Sequence, residues 1–225
     1  METILFDLDG VILKEPSLRA ATGEEVAELA TRRACEEIGL SDPVTEFVES
    51  TRYNSYENLV EAVDVHGVDV DPEKVWPMRE RHLSEIEREY LRDGKRKAYD
   101  DVGAIDHLTE SVGSMAIVSN ARHDTVDFIV EHLDLDHAID AVRGQYPDPE
   151  DWYRKKPEPD YIHEVLERLG AETGVYVGDS ESDIVAADRA GLDSAFVRRA
   201  HNREVELDHD PTYEIETLYD LLDLV

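Results

Sequence analysis

The sequence predicts an α/β protein: a three-layer α/β/α core on a parallel sheet, with an α-helical domain inserted after the first strand. Three observations carry that expectation. From about residue 98 onward, short apolar runs alternate with segments of helical periodicity. The first apolar run, Thr3–Phe6, is followed instead by a long stretch with helical spacing alone. Three of the apolar runs end in residues able to do chemistry, at Asp7, Ser119 and Asp179. Strands buried on both faces read as uninterrupted apolar runs, and strand–helix alternation generates a parallel sheet flanked by helices.

Each element follows from local pattern. Thr3–Phe6 is a short buried strand running into Asp7. Residues 24–38 place Val26, Leu29, Ala30, Ala34 and Ile38 on one helical face, and Gly39 ends that helix. Residues 55–66 carry Leu59, Val60 and Val63 at helical spacing. Asp71-Pro72 is an N-cap with proline in the first helical position. Pro77 is expected to kink or restart that helix, which continues through Leu83, Ile86 and Tyr90. After residues 94–99 the pattern changes. Residues 115–118 form a strand ending at Ser119, 124–133 a helix, and 138–142 a weaker strand. Residues 159–169 form a helix on Ile162, Val165, Leu166 and Leu169, closed by Gly170. Residues 175–177 form a strand ending at Gly178-Asp179; 180–190 form a helix closed by Gly191; 194–197 form the last strand. The result is a Rossmann-like core of residues 1–14 and 98–225 and a helical domain of residues 15–97, with no internal repeat.

Composition excludes several classes. The chain has 225 residues, 54 Asp and Glu against 23 Lys and Arg, and a formal net charge of −31. So acidic a chain lacks the basic field that nucleic acid or an anionic membrane would need. With 41% hydrophobic residues it is not a disordered acidic tail. No apolar run approaches the ~20 residues needed to span a bilayer. No basic leader with a cleavage site precedes Thr3. Cys35 is the only cysteine, so a reducing, cytoplasmic setting is expected.

The chemistry concentrates at strand ends, where ligands bind in open parallel sheets. In Asp7-Leu8-Asp9-Gly10-Val11, one carboxylate can attack a phosphoryl group in line. The second, two residues on, can protonate the leaving oxygen and later activate water. Gly10 permits the tight reversal that follows. Several carboxylates in one pocket are costly unless a cation neutralises them, and oxygen-only ligands point to Mg²⁺.

From these residues onward the chain resembles the haloacid dehalogenase superfamily. Ile117-Val118-Ser119-Asn120 fits its second motif, and Lys156-Pro157-Glu158-Pro159-Asp160-Tyr161 its third. Val177-Gly178-Asp179-Ser180-Glu181-Ser182-Asp183-Ile184 fits the fourth, extended by Ala186-Ala187-Asp188-Arg189-Ala190-Gly191. The inserted domain resembles the alpha-helical C1 cap of the phosphoglycolate phosphatase and β-phosphoglucomutase-like group. The resemblance implies Asp7 as nucleophile and Mg²⁺ ligand. It implies Asp9 as general acid/base, giving the metal its backbone carbonyl, and Asp179 as a metal-binding carboxylate. Asp183 falls where a second acidic residue binds the metal or its waters; Ser180 to Asp183 is also spaced as a helix-capping pair. Ser119 and Asn120 would face the phosphoryl group and substrate, and Lys156 would balance charge. Arg52 resembles a cap arginine that contacts an anionic substrate; Lys14 and Arg19 are weaker candidates. The implied function is Mg²⁺-dependent hydrolysis of a small phosphorylated metabolite through an aspartyl-phosphate. A phosphomutase using the same aspartyl-phosphate and a non-catalytic binding relative are the alternatives.

The basic residues comprise 17 Arg and only 6 Lys, and the acidic ones are dispersed along the chain. That pattern resembles proteins of salt-accumulating cytoplasms, and implies a halophilic, haloarchaeal origin.

Overall fold

A computed structural model describes residues 2–14, 23–40, 43–51 and 55–224, with no description of the side chains of residues 23–25. The described chain divides into two compact units. The first holds residues 1–15, 96–145 and 154–225; the second holds 16–95 and 146–153.

The first unit is built on β1 (Thr3–Phe6), which is buried throughout. After the chain returns to this unit come α5 (Ala104–Leu108), β2 (Ser114–Arg122), α6 (His123–His132) and β3 (Ala141–Gln145). Then follow α7 (Asp160–Leu169), β4 (Val175–Gly178), α8 (Glu181–Ala190), β5 (Asp193–Val197) and β6 (Tyr213–Ile215). Its six strands lie in the order β3-β2-β1-β4-β5-β6, and every neighbouring pair is parallel. The α/β class is therefore as the alternating pattern requires. On one face Leu5, Ala116, Val118 and Tyr176 pack against Tyr161, Ile162, Val165 and Leu166 of α7 and Ala186 and Ala187 of α8. Each fully buried aliphatic side chain there stabilises the fold by ~1.5–3 kcal/mol. Gly170 and Gly191 end α7 and α8 in the left-handed conformation.

Several elements differ from the sequence expectation. β2 runs past Ser119 to Arg122, with a register irregularity against β3 between Val118 and Arg122. β3 begins three residues later than expected, because Leu135 O accepts from both Ala138 N and Ile139 N in a turn. α5 and β6 are additional, each only a few residues long.

The second unit contains α1 (Gly23–Glu37), α2 (Thr45–Ser50), α3 (Tyr56–His66) and α4 (Pro72–Arg92). Pro77 lies inside α4, which continues unbroken as one 21-residue helix. Buried Val75 and Trp76 hold the first half in one apolar cluster, and Leu83 and Ile86 hold the second half in another. Leu29 and Ile38, expected on the buried face of α1, are exposed, while Val26, Ala30 and Ala34 are buried. Residues 146–153 join this unit rather than the sheet, because the Trp152 ring packs edge-on against Trp76 at 5.6 Å. Cys35 is buried here, and burial pushes its thiol up to about 11. Among the described residues no helix is long and apolar enough to cross a membrane.

Candidate active site

The sheet register builds the site. Phe6 of β1 pairs with Ile117 of β2 and Val177 of β4, so Asp7 follows one residue later and Ser119 and Asp179 two residues later, toward one edge of the sheet. Asp7 N donates to Val177 O at 2.8 Å and fixes the first of them. Asp7 is 8% exposed. Its Oδ1 accepts from Leu8 N at 2.7 Å and lies 2.9 Å from Lys156 Nζ; the Ser119 hydroxyl is bonded to it as well. Burial pushes the Asp7 carboxyl pKa up, and the Lys156 charge opposes that rise without cancelling it.

Lys156 is the hub of the cluster. Its ammonium donates to Asp183 Oδ1 at 2.6 Å and to the Tyr176 hydroxyl at 2.7 Å, besides facing Asp7. Burial by itself would lower its pKa, but the Asp183 and Asp7 carboxylates outweigh burial and hold it well above its ordinary value. Tyr176 in turn donates to Val118 O at 2.6 Å. Asn120 donates to Lys156 O and accepts from Lys156 N, both at 2.9 Å. The Asn120 amide thus holds the lysine backbone.

The two acidic residues after β4 play distinct parts. Asp183 is fully buried, and its oxygens accept four hydrogen bonds, from Lys156 Nζ, Asp179 N, Ser180 N and Ser180 Oγ. It forms a capping box with Ser180 at the start of α8. Asp179 is held from outside the motif: His201 Nε2 lies 2.6 Å from its Oδ2, and Asn202 Nδ2 donates to its backbone oxygen at 2.8 Å. Asp7, Asp179 and Asp183 each offer one carboxylate oxygen, all within 4.8 Å of one another. Such an all-oxygen set suits a hard divalent cation. Gly10, at φ +77°, makes the arrangement possible, since a Cβ there would stand 1.8 Å from Asp179 Oδ2. Asp9 faces the guanidinium of Arg96, a buried side chain also within reach of the Asp7 charge.

One edge of the sheet thus brings together Asp7, Asp9, Ser119, Lys156, Asp179 and Asp183. Residues 4–197 match the haloacid dehalogenase-like hydrolases as a family. The chain belongs to that family. The phosphoglycolate phosphatase of Aquifex aeolicus is 28% identical over 207 residues, spanning 87% of this chain and 84% of that one. The phosphoglycolate phosphatase of Vibrio cholerae is 25% identical and spans 100% and 97% of the two chains. Among solved structures, a HAD phosphatase from Thermococcus onnurineus matches with a TM-score of 0.63 at 23% identity, covering 100% of this chain and 97% of its own. CbbY from Rhodobacter sphaeroides, in complex with phosphate, gives 0.64 at 16% identity, covering 98% and 96%. These structural likenesses show a common fold.

Within this haloacid dehalogenase-like hydrolase, sequence reasoning passed over four residues of the site. Tyr176 carried a signal, because a phenol inside an apolar buried strand must find a partner for its hydroxyl. Arg96 carried another, as the centre of Lys95-Arg96-Lys97 in a chain with only 6 Lys. His201 and Asn202 carried none, since their link to Asp179 exists only through the fold. Arg52 and Arg19 lie outside the described residues. Lys14 pairs with Asp100 at 3.1 Å, half-exposed.

Proposed function

We propose that this hydrolase is a Mg²⁺-dependent phosphatase of small phosphomonoesters, similar to the phosphoglycolate phosphatases, and that it works through an aspartyl-phosphate on Asp7. The observation that carries the reading is the Asp7 carboxylate at the end of β1, 2.9 Å from Lys156 Nζ and bonded to Ser119, inside a three-carboxylate cluster. A nucleophile, a fixed cation and a hydroxyl donor are the parts that phosphoryl transfer requires.

In the first half-reaction an Asp7 oxygen bonds to phosphorus and the ester P–O bond breaks, while Asp9 gives its proton to the departing oxygen. In the second, Asp9 takes a proton from water, the hydroxide bonds to phosphorus, and the P–O bond to Asp7 breaks to release phosphate. Lys156 and Ser119 meet the charge on the phosphoryl oxygens, and Tyr176 and Asp183 keep the ammonium aimed at Asp7. Asp7, Asp179 and the Asp9 carbonyl are the groups that would hold Mg²⁺. Asp183, with its oxygens already engaged, orients the Asp179 loop and Lys156. When bound, Mg²⁺ supplies positive charge that offsets the carboxylates and the transferring group. The charge of −31, the scarcity of Lys and the single Cys support a salt-adapted, cytoplasmic, haloarchaeal setting.

The test is phosphate release from a panel of phosphomonoesters in molar KCl with Mg²⁺. Wild type should release phosphate, and Asp7→Asn should lower the rate by ~10³-fold or more. No release from any member of the panel contradicts the reading. Sugar-phosphate isomerisation without net phosphate release would indicate the mutase instead.

A further inference from the structure

One buried cation beside the reacting carboxylates has no part in the chemistry above. Arg96 stands where the chain returns to the sheet unit, and the backbone fixes its place. Lys97 O accepts from Lys14 N at 2.9 Å, Ile12 O accepts from Tyr99 N at 2.9 Å, and Leu13 pairs with Ala98 in an antiparallel bridge. These contacts clamp Arg96 against the Asp9–Leu13 loop. The residue is 8% exposed, and its Nη2 faces Asp9. Burial lowers its pKa to about 10 against the opposing pull of Asp7, so it remains a cation at neutral pH.

Its hydrogen bonding is incomplete. Nε of Arg96 is buried and has no hydrogen-bond partner among the described residues. A guanidinium presents five N–H donors in a planar fork suited to carboxylate or phosphate. A buried donor left unpaired has lost its water without gaining a partner, and so favours a ligand that completes it. The Nε of Arg199 is likewise buried without a hydrogen-bond partner among the described residues, but its Nη groups show a contrasting, structural use. Its Nη1 donates to Asp101 at 2.7 Å, and its Nη2 to Asp101 at 3.2 Å and Val11 O at 2.9 Å. Among the described residues Arg96 faces the Asp9 carboxylate alone, and Asp9 is the group that must deal with the leaving oxygen.

We infer that Arg96 is a specificity-determining residue that binds an anionic substituent on the alcohol half of the substrate. This rests on the phosphatase reading and narrows it. The transferring phosphoryl group already has Lys156 and Ser119 on the Asp7 side. Arg96 lies instead on the Asp9 side, where the leaving alcohol must sit to receive its proton. A carboxylate or a second phosphate near the ester oxygen would complete the fork, and a neutral alcohol would leave it unpaired. Loss of one partner from a buried charged pair commonly costs 10-fold to well over 100-fold in affinity.

The experiment measures kcat/KM of wild type, Arg96→Lys and Arg96→Gln on three kinds of phosphomonoester. One carries a carboxylate next to the ester carbon, one carries a second phosphate, and one is an aryl or glyceryl phosphate with an uncharged alcohol. Wild type should prefer one of the two anionic kinds, which identifies the anion. Both variants should lose about 100-fold on that kind and at least 10-fold less on the uncharged one. Arg96→Lys keeps the charge without the planar fork, and carries the test if Arg96→Gln fails to fold. Equal losses on all three kinds would overturn the inference while leaving the phosphatase reading intact. So would a wild type indifferent to the leaving-group charge. If wild type hydrolyses none of them, the phosphatase reading falls and takes this inference with it.

Discussion

Asp7 is buried, and the proposed reaction requires it to be an anion. Desolvation raises its carboxyl pKa, and Lys156 and Ser119 offset only part of the rise. The folded state therefore binds this proton more tightly than the unfolded chain does. The stability linked to the group is complete below the unfolded pKa of about 3.9 and is lost as pH rises through the higher folded value. Above that folded value and without metal, ionised Asp7 thus weakens the fold, and Asp7→Asn removes that penalty. Thermal melts in chelator should place Asp7→Asn above wild type, and added Mg²⁺ should raise wild type more than the variant. A variant that melts below wild type in chelator would contradict this account of the carboxylate. The position of Asp7 was legible because it follows an apolar run, as were Ser119 and Asp179. Lys156 was legible through the family motif. Its support was not: Tyr176, Asp183 and the Asn120 amide reach it across 20 to 36 residues of sequence.

At the scale of elements, two close approaches depend on glycine. Gly10 follows β1 at φ +77°, with Asp179 Oδ2 where a Cβ would go, and Gly178 at the end of β4 would place a Cβ 2.2 Å from Asp183 Cβ. Gly10→Ala should therefore displace the Asp179 carboxylate as well as strain the turn. We expect a loss of about 2 kcal/mol or more in denaturant unfolding and a Mg²⁺ requirement raised by ~10-fold. Unchanged half-maximal Mg²⁺ would show that Asp179 is not held against the β1 loop as described. Helices and strands were readable where periodicity is local, as in α7, α8 and β4. The errors share one cause, contacts distant in sequence. Pro77 forgoes one backbone bond inside α4, yet tertiary burial on both sides keeps the helix whole. Trp152 draws residues 146–153 out of the sheet unit through its contact with Trp76, and no nearby residue announces it. β6 is three residues long and owes its existence to pairing with β5.

For the whole molecule the governing quantity is the charge of −31. It is unevenly placed: residues 15–97 carry 12 basic and 20 acidic side chains, net −8, and the remaining residues carry the rest. Among the described residues some carboxylates are fixed in the interior by cationic neighbours, such as Asp7 and Asp183 at Lys156. The others repel one another across water, with a screening length of ~10 Å at 0.1 M salt and ~3 Å at 1 M. The melting temperature should therefore rise steadily as KCl is raised from about 0.1 M to 2 M. A melting temperature independent of KCl would remove the halophilic part of the account and leave the site unaffected. Four of the 6 Lys lie in two sequence clusters, at 95 and 97 and at 155 and 156, and Lys156 of the second stands against Asp7 and Asp183. In so acidic a chain the placement of the few cations was the more informative signal, and only the second cluster had a motif to point to it.

The central claim is that Asp7 accepts the phosphoryl group. Acid-quenched turnover of a phosphomonoester with Mg²⁺, followed by peptide mass analysis, tests it directly. The account predicts the added mass of one phosphoryl group on the peptide containing Asp7, absent from Asp7→Asn. Full phosphate release by Asp7→Asn, or a phosphoryl group found on any other residue, would contradict it.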